Sequence, residues 1–241
     1  MPTEPPAEPT GPAGVAEPGA AAVPARVARR WPVVSAAVAL LLVGLLALVL
    51  GLRHNPLPFA IDTEWMEEIV EHRSPVWDVP SLVMNSLGGG VIATFVVPLG
   101  VIAALLVFRR PWAALYFVLA VALSAGVVQV LKTLVGRARP EDMLVVSDFG
   151  SFPSGHSANA ATLAVALGIV FARAWVWVAG AAYTVLMMLS RTYLGAHWLS
   201  DTVGGMLLGA GVAVLLWAPF ALKLYTERSA LHRPIWIRTA S

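Results

Sequence analysis

The chain has 241 residues, of which 58% are hydrophobic and 12% charged, with a formal net charge of +2 and no cysteine. A soluble domain usually carries about 25% charged residues, so this composition leaves too little polar surface for a globule in water. The small net charge gives no basic footprint for nucleic acid, and the absence of cysteine excludes disulfides and thiolate-bound zinc.

Residues 1–30 are rich in Pro, Ala, Gly and Glu, show no apolar period, and read as a disordered tail. The apolar run that follows is too long for the core of a signal peptide, and no cleavage site of small residues stands behind it. A membrane span needs ~20 apolar residues, and the sequence offers six candidates in order. They are Val33–Leu52, Val91–Phe108 (entered by a short helix from Ser81), Trp112–Leu131, Ser157–Ala172, Trp175–Leu189 and Thr202–Pro219. Pro98 is expected to kink the second. The expected fold is therefore all-α: a polytopic bundle of six transmembrane helices over residues 31–222, with a C-terminal tail at 223–241.

Between the first two spans, Ile61–His72 reads as an amphipathic helix with Trp65, Ile69 and His72 on one face and Glu64, Glu67, Glu68 and Glu71 around the rest. It suits either a helix lying on the membrane surface or a lid over the substrate's way in. Trp31, Trp112, Trp175 and Trp217 fall near span ends, as interfacial tryptophans do. Basic residues set the orientation. With the N-terminus inside, Arg26, Arg29, Arg30, Arg109, Arg110, Arg173, Lys223, Arg228, Arg233 and Arg238 are cytoplasmic, and both termini lie in the cytoplasm of a cell (inner) membrane.

Three polar clusters then fall together at the outer ends of the last four spans: Lys132 through Arg139-Pro140, Pro153-Ser154-Gly155-His156, and Ser190-Arg191 through His197 to Asp201. Lys132, Arg139 and Arg191 are three cations at a membrane edge. Such charges are costly there and, once clustered, call for an anion. The guanidinium fork suits phosphate. Ser154 and Gly155 open a helix, whose free N–H groups also favour an anion. His197 and Asp201, four apart at a helix start, are expected to share a face, so that Asp201 accepts the Nδ1–H of His197 and leaves Nε2 as nucleophile. His156 is then placed to protonate the leaving oxygen and afterwards to activate water. Arg137 has no place in the pattern and reads as a loop or headgroup contact.

The clusters follow the pattern K-x6-RP, PSGH and SR-x5-H-x3-D, carried by Lys132, Arg139, Pro140, Pro153, Ser154, Gly155, His156, Ser190, Arg191, His197 and Asp201. In this they resemble the type 2 phosphatidic acid phosphatase (PAP2) family, which shares its site with vanadium haloperoxidases. That resemblance implies a six-span core and lipid phosphate hydrolysis without metal or cofactor. His197 would form a covalent phosphohistidine, and His156 would be the acid. Asp201 would support His197, and Lys132, Arg139, Ser154, Gly155 and Arg191 would hold the phosphate. The substrate class it implies is phosphatidic acid, phosphatidylglycerol phosphate or undecaprenyl diphosphate. Transfer of the phosphoryl group between lipids would use the same residues. A polytopic transporter or lipid-binding scaffold is the reading from another class; the charges gathered at one edge, rather than at the midplane, speak against transport. Gly204, Gly205, Gly209 and Gly211 mark a helix packed closely within the bundle or between subunits.

Overall fold

The computed structural model describes residues 26–52 and 58–230, so the expectations placed on residues 1–25 and 231–241 lie outside the described residues. The described residues are all-helical: α1 (Arg26–Leu52), α2 (Ala60–Glu71), α3 (Pro75–Gly88), a π-helical turn (Ile92–Val96), α4 (Val97–Val107), α5 (Pro111–Val135), α6 (Gly155–Phe171), α7 (Ala174–Tyr193) and α8 (Leu199–Ser229). Four of them (α1, α5, α7 and α8) are long and apolar enough to cross a membrane, and α3 with the π turn and α4 forms a fifth candidate bent by 44°. The short apolar helix α6 has 17 residues.

Helix α6 sits at the centre, packed against α5, α7 and α8. Ala158, Ala161, Thr162, Leu163, Ala166 and Val170 are buried on it, so it is apolar nearly all round, as a core helix must be. Helix α1 buries only a stripe, Ala36, Val43, Ala47 and Leu50, against α8, and leaves Leu41, Leu45 and Leu48 facing outward. One-sided burial with an apolar outer face is what a helix bordered by lipid shows. On α5 the buried stripe runs Ala113, Phe117, Ala120, Ser124, Val128 and Lys132 at helical spacing, so the core-facing line of the helix ends on a lysine at the site.

Small residues set the distance between α6 and α8. A Cβ on Gly205 would collide with the Ser154 carbonyl, and one on Gly209 with the Ala158 carbonyl and the Thr162 hydroxyl. This glycine stripe therefore packs within the bundle. At the end remote from the site, Glu227 of α8 accepts the N–H groups of Trp112 (2.9 Å) and Ala113 (3.0 Å), capping α5 where the helix dipole favours an anion. Arg110 lies beside it and donates to the Val170 carbonyl of α6 at 3.0 Å.

Several boundaries differ from the sequence reading. The chain is already helical at Arg26, inside the stretch read as tail, and α8 runs to Ser229 through Pro219. A helix precedes the second span from Pro75 rather than Ser81, with Pro80 inside it. The bend falls at the break between Gly88 and Ile92, ahead of the π turn. Pro98 takes the second position of α4, just past the widened turn where Val97 N–H bonds Ile92 O, because a residue without an N–H is tolerated in a first turn. Helix α2 forms as expected, but its buried face is Asp62 and Met66, with Trp65 and Ile69 half-buried and His72 exposed. It packs on the ends of α7 and α8 and lines none of the site cavity, so it is not a lid.

Candidate active site

A cavity of about 400 Å³ opens between the second span and α5, and the sequence-predicted Lys132, Gly155, His156, Arg191 and His197 all line it. Each is delivered by a chain feature. Lys132 ends the buried stripe of α5, and Gly136 (φ 58°) stops that helix in the left-handed conformation glycine allows. Gly155 and His156 open α6. Arg191 closes α7, and His197 sits in the turn between α7 and α8.

His197 is buried, and its Nδ1 lies 2.7 Å from the Ser151 carbonyl. Only an N–H can bond a carbonyl, so the proton belongs on Nδ1 and the Nε2 lone pair is free. Arg139 Nη1 stands 3.3 Å from that Nε2. Burial, then the charges of Arg139, Arg191 and Lys132, push the ring's pKa well below its ordinary value. The imidazole is thus neutral, as a nucleophile requires.

Asp201 does not take the expected bond. Its Oδ2 is 3.7 Å from His197 Nδ1 and instead accepts the Trp198 N–H at 2.9 Å. The reason is local: α8 begins at Leu199, and Trp198 is extended (φ −69°, ψ 157°), so His197 precedes the helix and the four-residue face rule does not reach it. Ser154 is wholly buried and its hydroxyl caps α6, accepting from Ser157 N at 3.4 Å, rather than lining the cavity. Its own N–H bonds the Asp201 carbonyl at 3.0 Å, which joins the second motif to the third.

The cations are arranged around shared acceptors. Lys132 Nζ donates to the Gly150 carbonyl (2.9 Å) and to Asp148 (3.0 Å). Arg139 donates to the same carbonyl (2.9 Å), to Asp148 (2.6 Å) and to the Ala196 carbonyl. Arg191 donates to the Asn85 side chain, and its buried Nε has no partner among the described residues. Burial works against ionised Asp148, but the hydrogen bond and charge of Lys132, with the charge of Arg139, outweigh it and hold the carboxyl below its ordinary value. Burial lowers the pKa of Arg139, and Asp148 and Asp201 oppose that shift.

Four contributors were not singled out from sequence as site residues. Asn85 of α3 bridges the two halves of the site, its side chain on Arg191 and its carbonyl 3.3 Å from His156 Nε2. A Cβ at Gly88 or Gly89 would run into the His156 ring or Met187, so these two glycines make room for that histidine. Asp148 left no periodic signal, being on a loop. Arg137 is buried, not a headgroup contact, and bonds both Asp62 and Asp201 at 2.6 Å. Its partner was legible in principle: Asp62 shares a helical face with Trp65, Met66 and Ile69, and an acid on an apolar face calls for a buried cation.

A family model, the PAP2 superfamily, matches residues 113–223. The chain is 32% identical to phosphatidylglycerophosphatase B of Bacillus subtilis over 129 residues, 48% of this chain and 64% of that one. It is 30% identical to lipid A 4'-phosphatase of Bacteroides thetaiotaomicron over 62% of this chain and 72% of that one. The fold matches the crystal structure of the transmembrane PAP2 type phosphatidylglycerolphosphate phosphatase from Bacillus subtilis, with a TM-score of 0.64 and 28% identity, covering 76% of this chain and 96% of that one. The chain spans between about half and two thirds of the length of several curated relatives it matches.

Proposed function

The chain belongs to the PAP2 superfamily, and from that premise we propose that it is a multi-pass membrane enzyme that hydrolyses the phosphate of a lipid through a phosphohistidine on His197. One observation carries this reading: the unprotonated Nε2 of His197, fixed by the Ser151 carbonyl, stands beside Arg139 at a cavity that His156, Lys132 and Arg191 also line. Below these groups the cavity continues along Val128, Ala125 and Val121 of α5 and Ala93 of the π turn, an apolar path suited to the body of a lipid.

Lys132, Arg139, Arg191 and the first N–H groups of α6 at Gly155 hold the phosphate oxygens. The phosphate draws Arg139 off the Nε2 lone pair, which then attacks phosphorus. The bond from phosphorus to the lipid oxygen breaks, and that oxygen takes a proton from His156. His156 next removes a proton from water, the hydroxide attacks phosphorus, and the P–N bond returns its electrons to Nε2 as phosphate leaves. Asp201 stabilises the positive charge on the ring of the intermediate. No metal enters these steps.

In the membrane we read six spans: α1, the bent α3–α4 unit, α5, α6, α7 and α8. They form one unit over residues 31–222, with both termini cytoplasmic and the site at the outer face. The basic residues gathered at the opposite end support that orientation. We put phosphatidylglycerol phosphate first among candidates, ahead of phosphatidic acid, undecaprenyl diphosphate and lipid A; similarity to a Bacillus subtilis phosphatidylglycerophosphatase in sequence and in fold supports that order.

The test is phosphate release by the detergent-solubilised chain in EDTA from each of these four lipids, with His197→Ala alongside. Release that survives EDTA and vanishes in the variant is expected. Normal turnover by folded His197→Ala would sink the mechanism. A labelled protein that passes its phosphoryl group to an added alcohol as a new phosphate ester, and not to water, would mark a transferase.

A further inference from the structure

Behind the catalytic histidine lies a charged cluster, Asp62, Arg137 and Asp201, of which the mechanism above uses Asp201 alone. Arg137 is fully enclosed, and its Nη1 donates to Asp201 Oδ1 (2.6 Å) and to the Ser200 hydroxyl (2.8 Å). Its Nη2 donates to Asp62 Oδ2 at 2.6 Å. Asp62 comes from α2, far away in sequence, and its other oxygen accepts the Ser200 N–H at 2.8 Å in the first turn of α8. The rings of Phe59 and Trp198 stand 5.5 and 5.8 Å from the guanidinium carbon and help keep water out. None of Asp62, Arg137 and Asp201 lines the cavity, and both terminal nitrogens of Arg137 are taken up by the two carboxylates and Ser200.

Arg137 nonetheless reaches His197 from two sides. Through its main chain, the Arg137 carbonyl accepts the Ser151 N–H at 2.9 Å, and the Ser151 carbonyl holds His197 Nδ1 at 2.7 Å. Through its side chain it holds Asp201, whose second oxygen accepts the N–H of Trp198, the next residue, and stands 3.7 Å from Nδ1. The charge balance within the cluster is also uneven. Two buried carboxylates share one guanidinium, a local surplus of acidic groups behind a ring that becomes cationic when it is phosphorylated. In a site closed to water such a charge acts strongly.

We propose that Asp62 and Arg137 are positioning residues that act on His197 through Asp201, setting both the angle of the ring and the negative charge behind it. The inference rests on the hydrolase reading above. An anchor that merely pins α2 to α8 would explain the bonds to Ser200. It would not require the guanidinium to be shared with Asp201, nor the Arg137 carbonyl to hold the strand that fixes Nδ1.

Substituting Asp62→Asn keeps the size of the side chain but removes its charge, so Arg137 then neutralises Asp201 alone. The chemical step should weaken while substrate binding does not. Loss of one charge-assisted hydrogen bond felt at the transition state corresponds to about 10- to 100-fold in kcat, with KM held within about twofold because the cavity is untouched. The rate of trapping labelled phosphohistidine should fall by the same factor. Arg137→Lys keeps the charge but lacks the fork that serves both carboxylates, and should lose roughly tenfold in kcat. Because Arg137→Gln leaves two buried carboxylates unpaired and threatens folding, the double variant Asp62→Asn, Arg137→Gln, which restores the original net charge, is made with it. The double variant should unfold at a higher temperature than Arg137→Gln and still be slow.

The assay uses the full chain in detergent, with short-chain phosphatidylglycerol phosphate as substrate and thermal unfolding followed in parallel. Folded Asp62→Asn and Arg137→Lys with kcat within about twofold of wild type would overturn the inference and leave the cluster as an anchor. So would kcat falling only in step with the folded fraction. If the wild-type chain turns over none of the four candidate lipids, the hydrolase reading itself fails and this inference goes with it.

Discussion

Asp148 places a carboxylate among the cations on which the proposed mechanism relies for the substrate's phosphate, and replacing it with asparagine should tighten substrate binding. Its oxygen lies 3.0 Å from Lys132 Nζ and 2.6 Å from Arg139 Nη2. A phosphate oxygen bound by the same two cations would stand ~5 Å from that carboxylate. The Asp148 side chain is 61% exposed, so solvent screens the repulsion heavily. With an effective dielectric between ~40 and ~80, it amounts to about 1 kcal/mol, or roughly fivefold in binding. The cations keep their places without Asp148, because the Gly150 carbonyl accepts from both at 2.9 Å. Asp148→Asn is therefore expected to lower KM by about fivefold and to strengthen inhibition by inorganic phosphate by a similar factor, with little change in kcat. Because its neighbours hold the Asp148 carboxyl below the ordinary range, it is ionised from mildly acidic pH upward, and the effect should be flat from pH ~5 to ~8. A higher KM in Asp148→Asn would refute the reasoning and show that the carboxylate places the cations rather than competing with phosphate.

At the opposite end, Glu227→Gln weakens the cap on α5 and the pairing with Arg110; thermal unfolding should show a loss of about 1–3 kcal/mol, with kcat per folded molecule unchanged. Gly209→Val drives a side chain into the Ala158 carbonyl and should cost ~1–3 kcal/mol or more by separating α6 from α8. Gly126→Ala, where a Cβ meets nothing within 4 Å, should be neutral or stabilising by up to about 1 kcal/mol, and serves as the control in the same unfolding assay. The depressed pKa of His197 fixes the sign of a pH effect on stability. Between the ordinary histidine pKa and the lower folded value, the unfolded chain binds the proton and the folded chain does not, so stability falls as pH falls. From pH 6.5 to 5 that is up to ~2 kcal/mol, and the pH dependence of unfolding should be shallower in His197→Gln.

The helical architecture was open to reading because hydropathy and helical period act over whole segments. The apolar stripes on α1 and α5 and the glycines of α8 write their packing directly into spacing. The three motif clusters were equally visible, since charged residues are conspicuous at the ends of apolar runs. What stayed hidden depended on how a turn ends. Four-residue spacing predicted a His197–Asp201 bond, but the spacing rule holds only inside a helix, and α8 starts two residues after His197. The Ser151 carbonyl took the bond, and main-chain acceptors leave no mark in a sequence. Arg137 was misread because a charged residue in a loop is normally solvated, and Asp62 drew no reading of its own. Only their meeting across 75 positions makes them a buried pair.

The broken second span shows how a polar site can stand at the edge of an apolar bundle. A continuous helix would spend every carbonyl on its own ladder, and none would be left to orient His156. By stopping at Gly88, α3 releases the carbonyls of its last turn, and Asn85's is the one that lies 3.3 Å from His156 Nε2. The glycines at the break leave the space the ring occupies. Gly90 turns the chain with φ 58°, and the π turn and α4 leave that break at 44° to α3, opening the side of the cavity that α5 completes. Irregular backbone at such a depth is tolerated only where it lines a cavity. Gly88 and Gly89, which leave room for the His156 ring, and Gly90, which turns the chain, are therefore requirements of the site as much as of the fold.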